Sequence, residues 1–358
     1  MKNSNTENID LGLNRSPSGI ADEDVMVALL NMGGPKTNAD VRAFQSRLFN
    51  DTRLIRFPLS KILQPLFAWA LVTFRGKASE ERYQLIGGGS PLFSSTQAQT
   101  EALRRELKKR GRGFSLTFSF NYSEPLPEQT IAETKQANKK YLLPLSMYPH
   151  YSSATTGSNL YYLKKAAEGI YPQLQFLPTP LYYLHPDYIQ GFVDRVHEQL
   201  KPGESLDDFY LIFSAHGLPV YFIMEGDPYP NQIAQSVALV LNQLKRKDKW
   251  IVAYQSAVGP MKWMTPSTEG VLRALAKQGM TKVLVVPIAF VNDHIETLCE
   301  INMEYKEFAL KEGIKDFRMS RALETHPGFI KALADVIEAL LPKSEKFQVS
   351  GVKSPVNT

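Results

Sequence analysis

Two short segments combine an apolar run with groups that transfer protons or bind metals. His216 follows the apolar run 209–215, which predicts a buried strand. Asp293, His294 and Glu296 follow a second apolar run. An imidazole has an unperturbed pKa of about 6.5, so it can accept a proton near neutral pH. The position alone fits a structural role equally well, in which His216 bonds a backbone carbonyl.

The acidic residues near His294 have two open interpretations. Glu296, Glu300 and Glu304 recur at every fourth residue, which predicts one face of a helix. Asp293 and Glu296 also have the spacing of a capping box, and the remaining acids would then form a solvated surface. His294 has no function in such a cap, and the helix would begin at a strand end, where ligands collect in open parallel sheets.

The elements that position these groups fall into two similar sets. Apolar runs that predict strands alternate with helical segments, which indicates an α/β protein with parallel sheets. The predicted strands are 25–31, 115–120 and 140–147 in the first half, and 209–214, 250–254 and 282–290 in the second. The third strand of each half contains a proline, Pro144 or Pro287. We therefore predict two Rossmann-like domains, each with a parallel sheet flanked by helices, that face a central cleft.

Changes in polarity and periodicity along the chain predict its domain boundaries. Polar segments without periodicity at 1–24 and 342–358 predict a disordered N-terminal tail and a flexible C-terminal tail. The N-terminal domain is assigned to 25–180, with a lip at the cleft, and the C-terminal domain, with the catalytic groups, to 181–325. An amphipathic terminal helix is expected at 326–341.

Composition excludes several classes of site. The chain has 358 residues, is 43% hydrophobic and 22% charged, and contains a single cysteine. One cysteine cannot form an intrachain disulfide, a cysteine-built zinc site or an iron–sulfur cluster, and it suits a reducing cytoplasm.

The net charge of +5 has a local explanation. The basic run 104–112 is typical of a solvated helix end terminated by Gly111, so we expect no nucleic-acid partner. No apolar run reaches the ~20 residues that span a bilayer. The apolar segment 62–74, flanked by basic residues, suits peripheral contact with a membrane or a lip at the cleft, although a buried core helix would have the same composition.

Seven ordered motifs carry a resemblance to a known family. They are LNMGGP at 30–35, IGGGSP at 86–91, SAHGLP at 214–219, GDPYP at 226–230, QSAVGPM at 255–261, PIAF at 287–290 and DHIET at 293–297. Together they make 25–340 resemble the ferrochelatases of haem biosynthesis. The resemblance implies a lyase that inserts Fe²⁺ into protoporphyrin IX and releases two pyrrole protons. Two alternatives are insertion into coproporphyrin III and a tetrapyrrole-binding protein without catalysis.

The resemblance also implies roles for single residues. His216 and Glu296 correspond to catalytic and metal-contacting groups, in which His216 either delivers the metal or accepts a proton. The polar path for protons or metal is assigned to Asp293, His294, Glu300 and Glu304. The residues implied around the porphyrin are Met32, Tyr122, Tyr148, Tyr151, Ser152 and Trp263.

The chain departs from the family pattern at a few positions. Asn121 replaces an arginine, and Gln84 and Leu85 replace an arginine pair of animal relatives, which weakens any transfer of metal or propionate contacts to these sites. Fe²⁺ is implied as a substrate, with no permanently bound cofactor and no iron–sulfur cluster. The implied location is the cytoplasm, with peripheral contact at the inner membrane, and the sequence leaves the oligomeric state open.

Overall fold

The computed structural model describes residues 19–54, 60–259 and 261–342. The predicted tails at 1–18 and 343–358, and Pro260 of the QSAVGPM motif, lie outside the described residues. The predicted N-terminal tail extends too far, because Asp22–Asp24 form a 3₁₀-helix. The Asp22 carboxylate accepts hydrogen bonds of 2.9 and 2.8 Å from the Arg112 guanidinium, which fixes this segment to the folded chain.

Two parallel sheets with the same strand order form the centre of the molecule. The strands are β1 Val25–Asn31, β2 Ser115–Phe120, β3 Tyr141–Ser146, β4 Gln175–Phe176, β5 Tyr210–His216, β6 Trp250–Gln255, β7 Lys282–Val286 and β8 Asp316–Met319. Their orders are β2-β1-β3-β4 and β6-β5-β7-β8, so the second half repeats the topology of the first. This arrangement confirms the predicted fold class of two parallel sheets flanked by helices.

Two of the four edge strands, β4 and β8, and the end of β7 differ from the prediction. β4 has two residues, and β8 alternates charged with apolar side chains, so neither presents an apolar run. β7 ends at Val286 because Pro287 has no backbone N–H for the ladder. Pro144 is accommodated within β3 because β4 pairs with Tyr141 and Leu142 and does not extend beside it.

Eleven α-helices within the described residues cover the sheets and connect them. They are α1 Val41–Phe49, α2 Ser60–Leu85, α3 Leu92–Lys109, α4 Pro127–Gln136, α5 Thr156–Ile170, α6 Pro186–His197, α7 Val220–Met224, α8 Tyr229–Gln243, α9 Thr268–Lys277, α10 Lys306–Glu312 and α11 Pro327–Leu340. A π-helix, Glu296–Tyr305, precedes α10. α3 ends before Gly111, whose φ of 71° confirms the predicted glycine stop. The basic run is not simply solvated, because Arg110 pairs with Asp335 and Glu338 of α11.

The helix that follows the last strand of each sheet packs on a helix that flanks the other sheet. α6 follows β4 and packs on α8, whereas α11 follows β8 and packs on α3, and the two helices also contact each other. Each begins at a His-Pro pair. His185 Nδ1 accepts the Asp187 N–H at 3.3 Å, and its Nε2 lies 3.2 Å from Asp335 Oδ2 of α11.

His326 repeats this arrangement at the start of α11. Its Nδ1 accepts the Gly328 N–H at 3.2 Å, and its Nε2 lies 3.2 Å from Asp194 Oδ2 of α6. The two helices are therefore joined by a reciprocal pair of histidine caps.

Segment 62–74 belongs to the long helix α2 and leaves large apolar side chains exposed. The exposed fractions are 63% for Leu66, 63% for Trp69 and 82% for Phe74, whereas Ala68 is buried. A fully buried core helix is therefore the wrong interpretation of this segment. Among the described residues, no helix is long and apolar enough to cross a membrane.

Candidate active site

His216 is the last residue of β5, where it lies in register with Gln255 of β6. Its backbone is fixed on both sides, since the His216 carbonyl accepts the Tyr229 hydroxyl at 3.1 Å and the next amide, of Gly217, donates to the Gln255 carbonyl at 2.9 Å. Its imidazole, 37% exposed, bonds no backbone carbonyl but lies with Nδ1 2.8 Å from Glu296 Oε2. The structural role considered for this histidine is therefore not the one observed.

The contact with Glu296 determines which ring nitrogen of His216 is available. An ionised carboxylate can only accept, so Nδ1 carries the hydrogen of this bond. In the neutral imidazole, Nε2 then carries a lone pair that can accept a proton or bind a metal. The hydrogen bond thus selects both the tautomer and the orientation of the ring.

The two groups shift each other's pKa in opposite directions. Burial lowers the pKa of His216, but the charge and hydrogen bond of Glu296, with the charge of Glu300, outweigh it, so the pKa is raised. Burial raises the pKa of Glu296, but His216, His294 and Arg82 outweigh it, so the pKa is lowered. Glu296 is therefore an anion that makes His216 a stronger base than free histidine.

His294 supports this pair, whereas Asp293 does not reach it. His294 is buried, with Nε2 4.0 Å from Glu296 Oε1 and Nδ1 3.2 Å from the Asn292 carbonyl. The Asp293 carboxylate instead accepts the Ala322 N–H at 3.3 Å. The capping-box interpretation of Asp293 and Glu296 is also wrong, because the Thr297 hydroxyl accepts the His294 amide at 2.9 Å.

The three glutamates do not form one acidic face. Glu300 Oε2 accepts the Ser256 hydroxyl and Oε1 accepts the Tyr305 hydroxyl, both at 2.7 Å. Burial and then the charge of Glu296 raise the pKa of Glu300. Glu304 is half-exposed and pairs with Arg82 at 2.5 Å. Because a π-helix forms i→i+5 bonds, side chains four residues apart are not aligned as they are in an α-helix.

Gln255 connects the two strand ends and was not among the predicted site residues. Its amide donates to the Glu296 carbonyl at 3.3 Å and lies 3.4 Å from Glu300 Oε2. Its own Oε1 accepts the Ser214 hydroxyl at 2.7 Å. Its place at the end of a strand, in the QSAVGPM motif, was the signal that could have identified it.

A cavity with a volume of about 160 Å³ lies beside Glu296 and opens to solvent. His216 is not part of its wall but bonds to Glu296, which is. The wall consists of Met32, Gly33, Phe44, Gln45, Leu48, Phe49, Ser79, Arg82, Tyr83, Ser90, Leu92, His294, Ile295 and Glu296. The wall residues of α1, α2 and α3 were not among the predicted site residues, because their local sequence is that of ordinary helices.

The residues implied around a porphyrin are only partly brought together. Met32 lines the cavity. Burial and the charge of Glu296 raise the pKa of Tyr148, which places its hydroxyl in the electrostatic reach of the site. Tyr122 is buried and donates to Asp51 at 2.5 Å. Trp263 forms a bridge with Pro219, and its indole N–H donates to the Val258 carbonyl at 2.8 Å.

Tyr151 and Ser152 join the two halves and do not line the cavity. The Tyr151 amide donates to Gln232 of α8 at 2.7 Å. The Ser152 side chain is fully buried, and its hydroxyl donates to Asp227 at 2.9 Å. Ser152 therefore offers its hydroxyl to the protein interior, against the predicted porphyrin contact.

Asn121, one of the departures from the family pattern, is engaged within the first half. Its Nδ2 donates to the Ser158 hydroxyl at 3.3 Å, and its Oδ1 accepts the Asn159 amide at 2.9 Å. It therefore provides no positive charge where an arginine would.

Among the described residues, a second group of metal-ligand types consists of His185, Asp187 and Asp335. Lys331 Nζ lies 2.9 Å and Arg110 Nη1 2.5 Å from Asp335. Because these cations already neutralise the carboxylates, the group does not suit a metal ion.

Known proteins share the sequence pattern of this chain. A family model described as Ferrochelatase matches residues 25–341. Ferrochelatase from Gloeothece citriformis is 39% identical over 328 residues, covering 90% of this chain and 84% of that protein. Ferrochelatase from Nostoc punctiforme is 40% identical over 330 residues, covering 91% and 84%.

A solved structure described as SirB from Bacillus subtilis with Fe³⁺ shares the fold. It has a TM-score of 0.50 and 16% sequence identity, and the alignment covers 70% of this chain and 92% of that one. The family match over 25–341 and the two relatives together show that this chain belongs to the ferrochelatase family.

Proposed function

We propose that this protein inserts Fe²⁺ into protoporphyrin IX to form protohaem. The observation that carries the proposal is the distance of 2.8 Å between His216 Nδ1 and Glu296 Oε2. Both residues follow strands, and Glu296 lines the cavity. Metal insertion replaces two pyrrole N–H bonds with bonds from nitrogen to iron, so two protons must leave. The site therefore needs a base of suitable strength and a route for protons.

His216 supplies the base. Its Nε2 lone pair accepts a pyrrole proton while Nδ1–H remains bonded to Glu296. The imidazolium that forms is stabilised by the Glu296 carboxylate, because opposite charges at this distance in a partly buried site attract strongly. In this proposal Fe²⁺ is the substrate, and Glu296 also contributes negative charge where the dication arrives.

Glu300 is the next proton acceptor along the path. Its raised pKa means that it holds a proton more readily than an exposed glutamate. The hydroxyls of Ser256 and Tyr305 bond to it and can pass protons along hydrogen bonds. Glu304 lies beyond this path, because Arg82 neutralises it.

The cavity wall supports protoporphyrin as the substrate over coproporphyrin. Its apolar side chains include Phe44, Leu48, Phe49 and Leu92. Such a wall suits the vinyl groups of protoporphyrin, because they bury apolar surface against it where coproporphyrin would place two further charged propionates.

The deciding experiment compares both porphyrins under anaerobic conditions with Fe²⁺. We expect the free-porphyrin absorption bands to decay with repeated turnover and with a higher kcat/KM for protoporphyrin IX. A higher kcat/KM for coproporphyrin III would assign the alternative substrate. Binding of porphyrin with lasting free-porphyrin bands would instead indicate a tetrapyrrole carrier.

We further propose that α2 contacts a membrane surface peripherally. Leu66, Trp69 and Phe74 present apolar area to solvent, and the basic residues Arg75 and Lys77 follow them in the chain. An apolar face with basic flanks suits the interface of an anionic bilayer. The cavity beside this helix is where an apolar porphyrin would enter.

A further inference from the structure

Glu324 has a backbone conformation that its residue type disfavours. Its φ is +51°, in the left-handed region. A side chain with a Cβ is disfavoured there, whereas glycine adopts the conformation readily and asparagine more easily than most residues. A glutamate at this position therefore needs a compensating contribution from its side chain.

The Glu324 side chain holds the segment that precedes the catalytic glutamate. Its Oε1 accepts the Asp293 N–H at 2.6 Å. In the same contact, the Glu324 N–H donates to the Val291 carbonyl at 2.8 Å, and the Ala322 N–H donates to Asp293 Oδ1 at 3.3 Å. Three hydrogen bonds thus clasp segment 322–324 to segment 291–293.

The clasp is also connected to the first half of the molecule. Gln99 of α3 donates to the Glu324 carbonyl at 3.0 Å. Burial and the charge of Asp293 raise the pKa of Glu324, while hydrogen bonds from the Asp293 amide and Ser95 of α3 act in the opposite direction. The clasp therefore lies where α3 meets the loop that carries the active site.

The held segment leads directly into the active site. His294 follows Asp293, and the π-helix begins at Glu296, three residues beyond the Asp293 amide. If the Asp293 peptide changed its orientation, the start of the π-helix would rotate or shift. The distance between His216 Nδ1 and Glu296 Oε2 would then increase.

We infer that Glu324 is a positioning residue that holds the Asp293 peptide so that Glu296 meets His216. The inference rests on the proposed function insofar as that contact serves metal insertion. Glu324 itself touches neither member of the pair in the hydrogen bonds described, so its effect on turnover passes through the backbone of 293–296.

Three substitutions separate positioning from folding. Glu324→Ala removes the carboxylate and keeps a Cβ, Glu324→Gly removes the carboxylate and relieves the left-handed backbone, and Glu324→Gln keeps an oxygen that can accept the Asp293 N–H. We expect kcat to fall about tenfold or more in both Ala and Gly variants, as small misplacements at a reacting centre do. KM for porphyrin should change less than about twofold, because most of the cavity wall comes from residues 32–92, outside the displaced segment. The Gln variant should retain most of the parental kcat.

The thermal midpoint provides the internal control. The Gly variant should unfold at a higher temperature than the Ala variant, yet lose as much kcat. A Gly variant with parental kcat would show that the Ala effect is only strain, and an Ala variant with parental kcat would overturn the inference outright. Glu312→Ala is the matched control, because Glu312 pairs with Arg273 on the surface and should leave kcat unchanged.

Hydrogen–deuterium exchange of the peptide that contains the Asp293 amide tests positioning without catalysis. Exchange should be faster in the Ala and Gly variants and close to parental in the Gln variant. Unchanged exchange in the Ala variant would contradict the inference. If the parental protein failed to insert iron but hydrogen–deuterium exchange was faster in the Ala variant, the proposed function would be wrong. The role of Glu324 in holding the Asp293 peptide would still be supported.

Discussion

Arg82 of α2 and Glu304 of the π-helix form an ion pair with an N–O distance of 2.5 Å, across 222 positions of sequence. The pair joins the helix with the exposed apolar side chains to the π-helix that begins at Glu296. Both side chains are nearly half exposed, at 43% and 46%. Exposed pairs of this kind stabilise a protein by about 0–1 kcal/mol.

For Arg82→Gln we therefore expect a loss of no more than about 1 kcal/mol in the free energy of unfolding. The loss should shrink at high salt, since screening weakens exposed ion pairs. Denaturant titrations at low and high salt measure both effects. A loss of several kcal/mol would show that the pair is buried in solution.

For His216→Ala we expect kcat to fall by about 10²–10⁴-fold, the usual contribution of a positioned base. Porphyrin binding should persist, because the apolar wall of the cavity, which includes Phe44, Leu48 and Phe49, is unchanged. Steady-state assays and a fluorescence titration with porphyrin measure the two quantities. Iron insertion at the parental rate would remove His216 from the mechanism.

For Glu296→Gln the pH dependence gives the sharper test. The raised pKa of His216 means that the imidazolium, which has no free lone pair, persists above the ordinary pKa of about 6.5. The acid limb of kcat/KM in the parental protein should therefore lie above pH ~6.5. Replacing the carboxylate by an amide removes the charge that raises this pKa, so the acid limb should move to lower pH as the overall rate falls. An acid limb at an unchanged pH would assign it to another group.

For the double substitution Trp69→Ser and Phe74→Ser we expect weaker binding to anionic vesicles with little change in stability. Both side chains are mainly exposed, so removing them leaves no internal cavity. Vesicle flotation and thermal unfolding measure the two effects. Leu310→Ser is a control, since Leu310 is 47% exposed on α10, outside the surface proposed to contact the membrane. Equal flotation of all three proteins would leave α2 without a role at a membrane.

The sequence predicted the inner strands β1, β3, β5 and β7 well because each is a mainly apolar run that is almost fully buried. It did not predict β4 and β8, because their segments are short or charged. They form strands by backbone hydrogen bonds to the neighbouring strands β3 and β7. Propensity carries no information about such a neighbour.

The proximity of His216 and Glu296 could be predicted in part. Both follow apolar runs, so the pattern placed them at one edge of a parallel sheet, where the structure has them 2.8 Å apart. Asp293 and Ser152 were given roles through their place in motifs, but hydrogen bonds to Ala322 and Asp227 occupy them. Gln255 and Glu324 were not selected, because their importance comes from contacts with distant segments that no local pattern records.

The reciprocal packing of α6 and α11 has a consequence for how the chain acquires its structure. α6 follows the first sheet but packs on α8, and α11 follows the second sheet but packs on α3, so a fragment that ends before Pro186 lacks the cover that α11 gives to α3. One apolar core contains Leu103, Val240 and Leu333 and so runs through both halves. Cutting the chain between the two sheets would therefore expose apolar side chains on both fragments to water, at a cost in hydrophobic free energy.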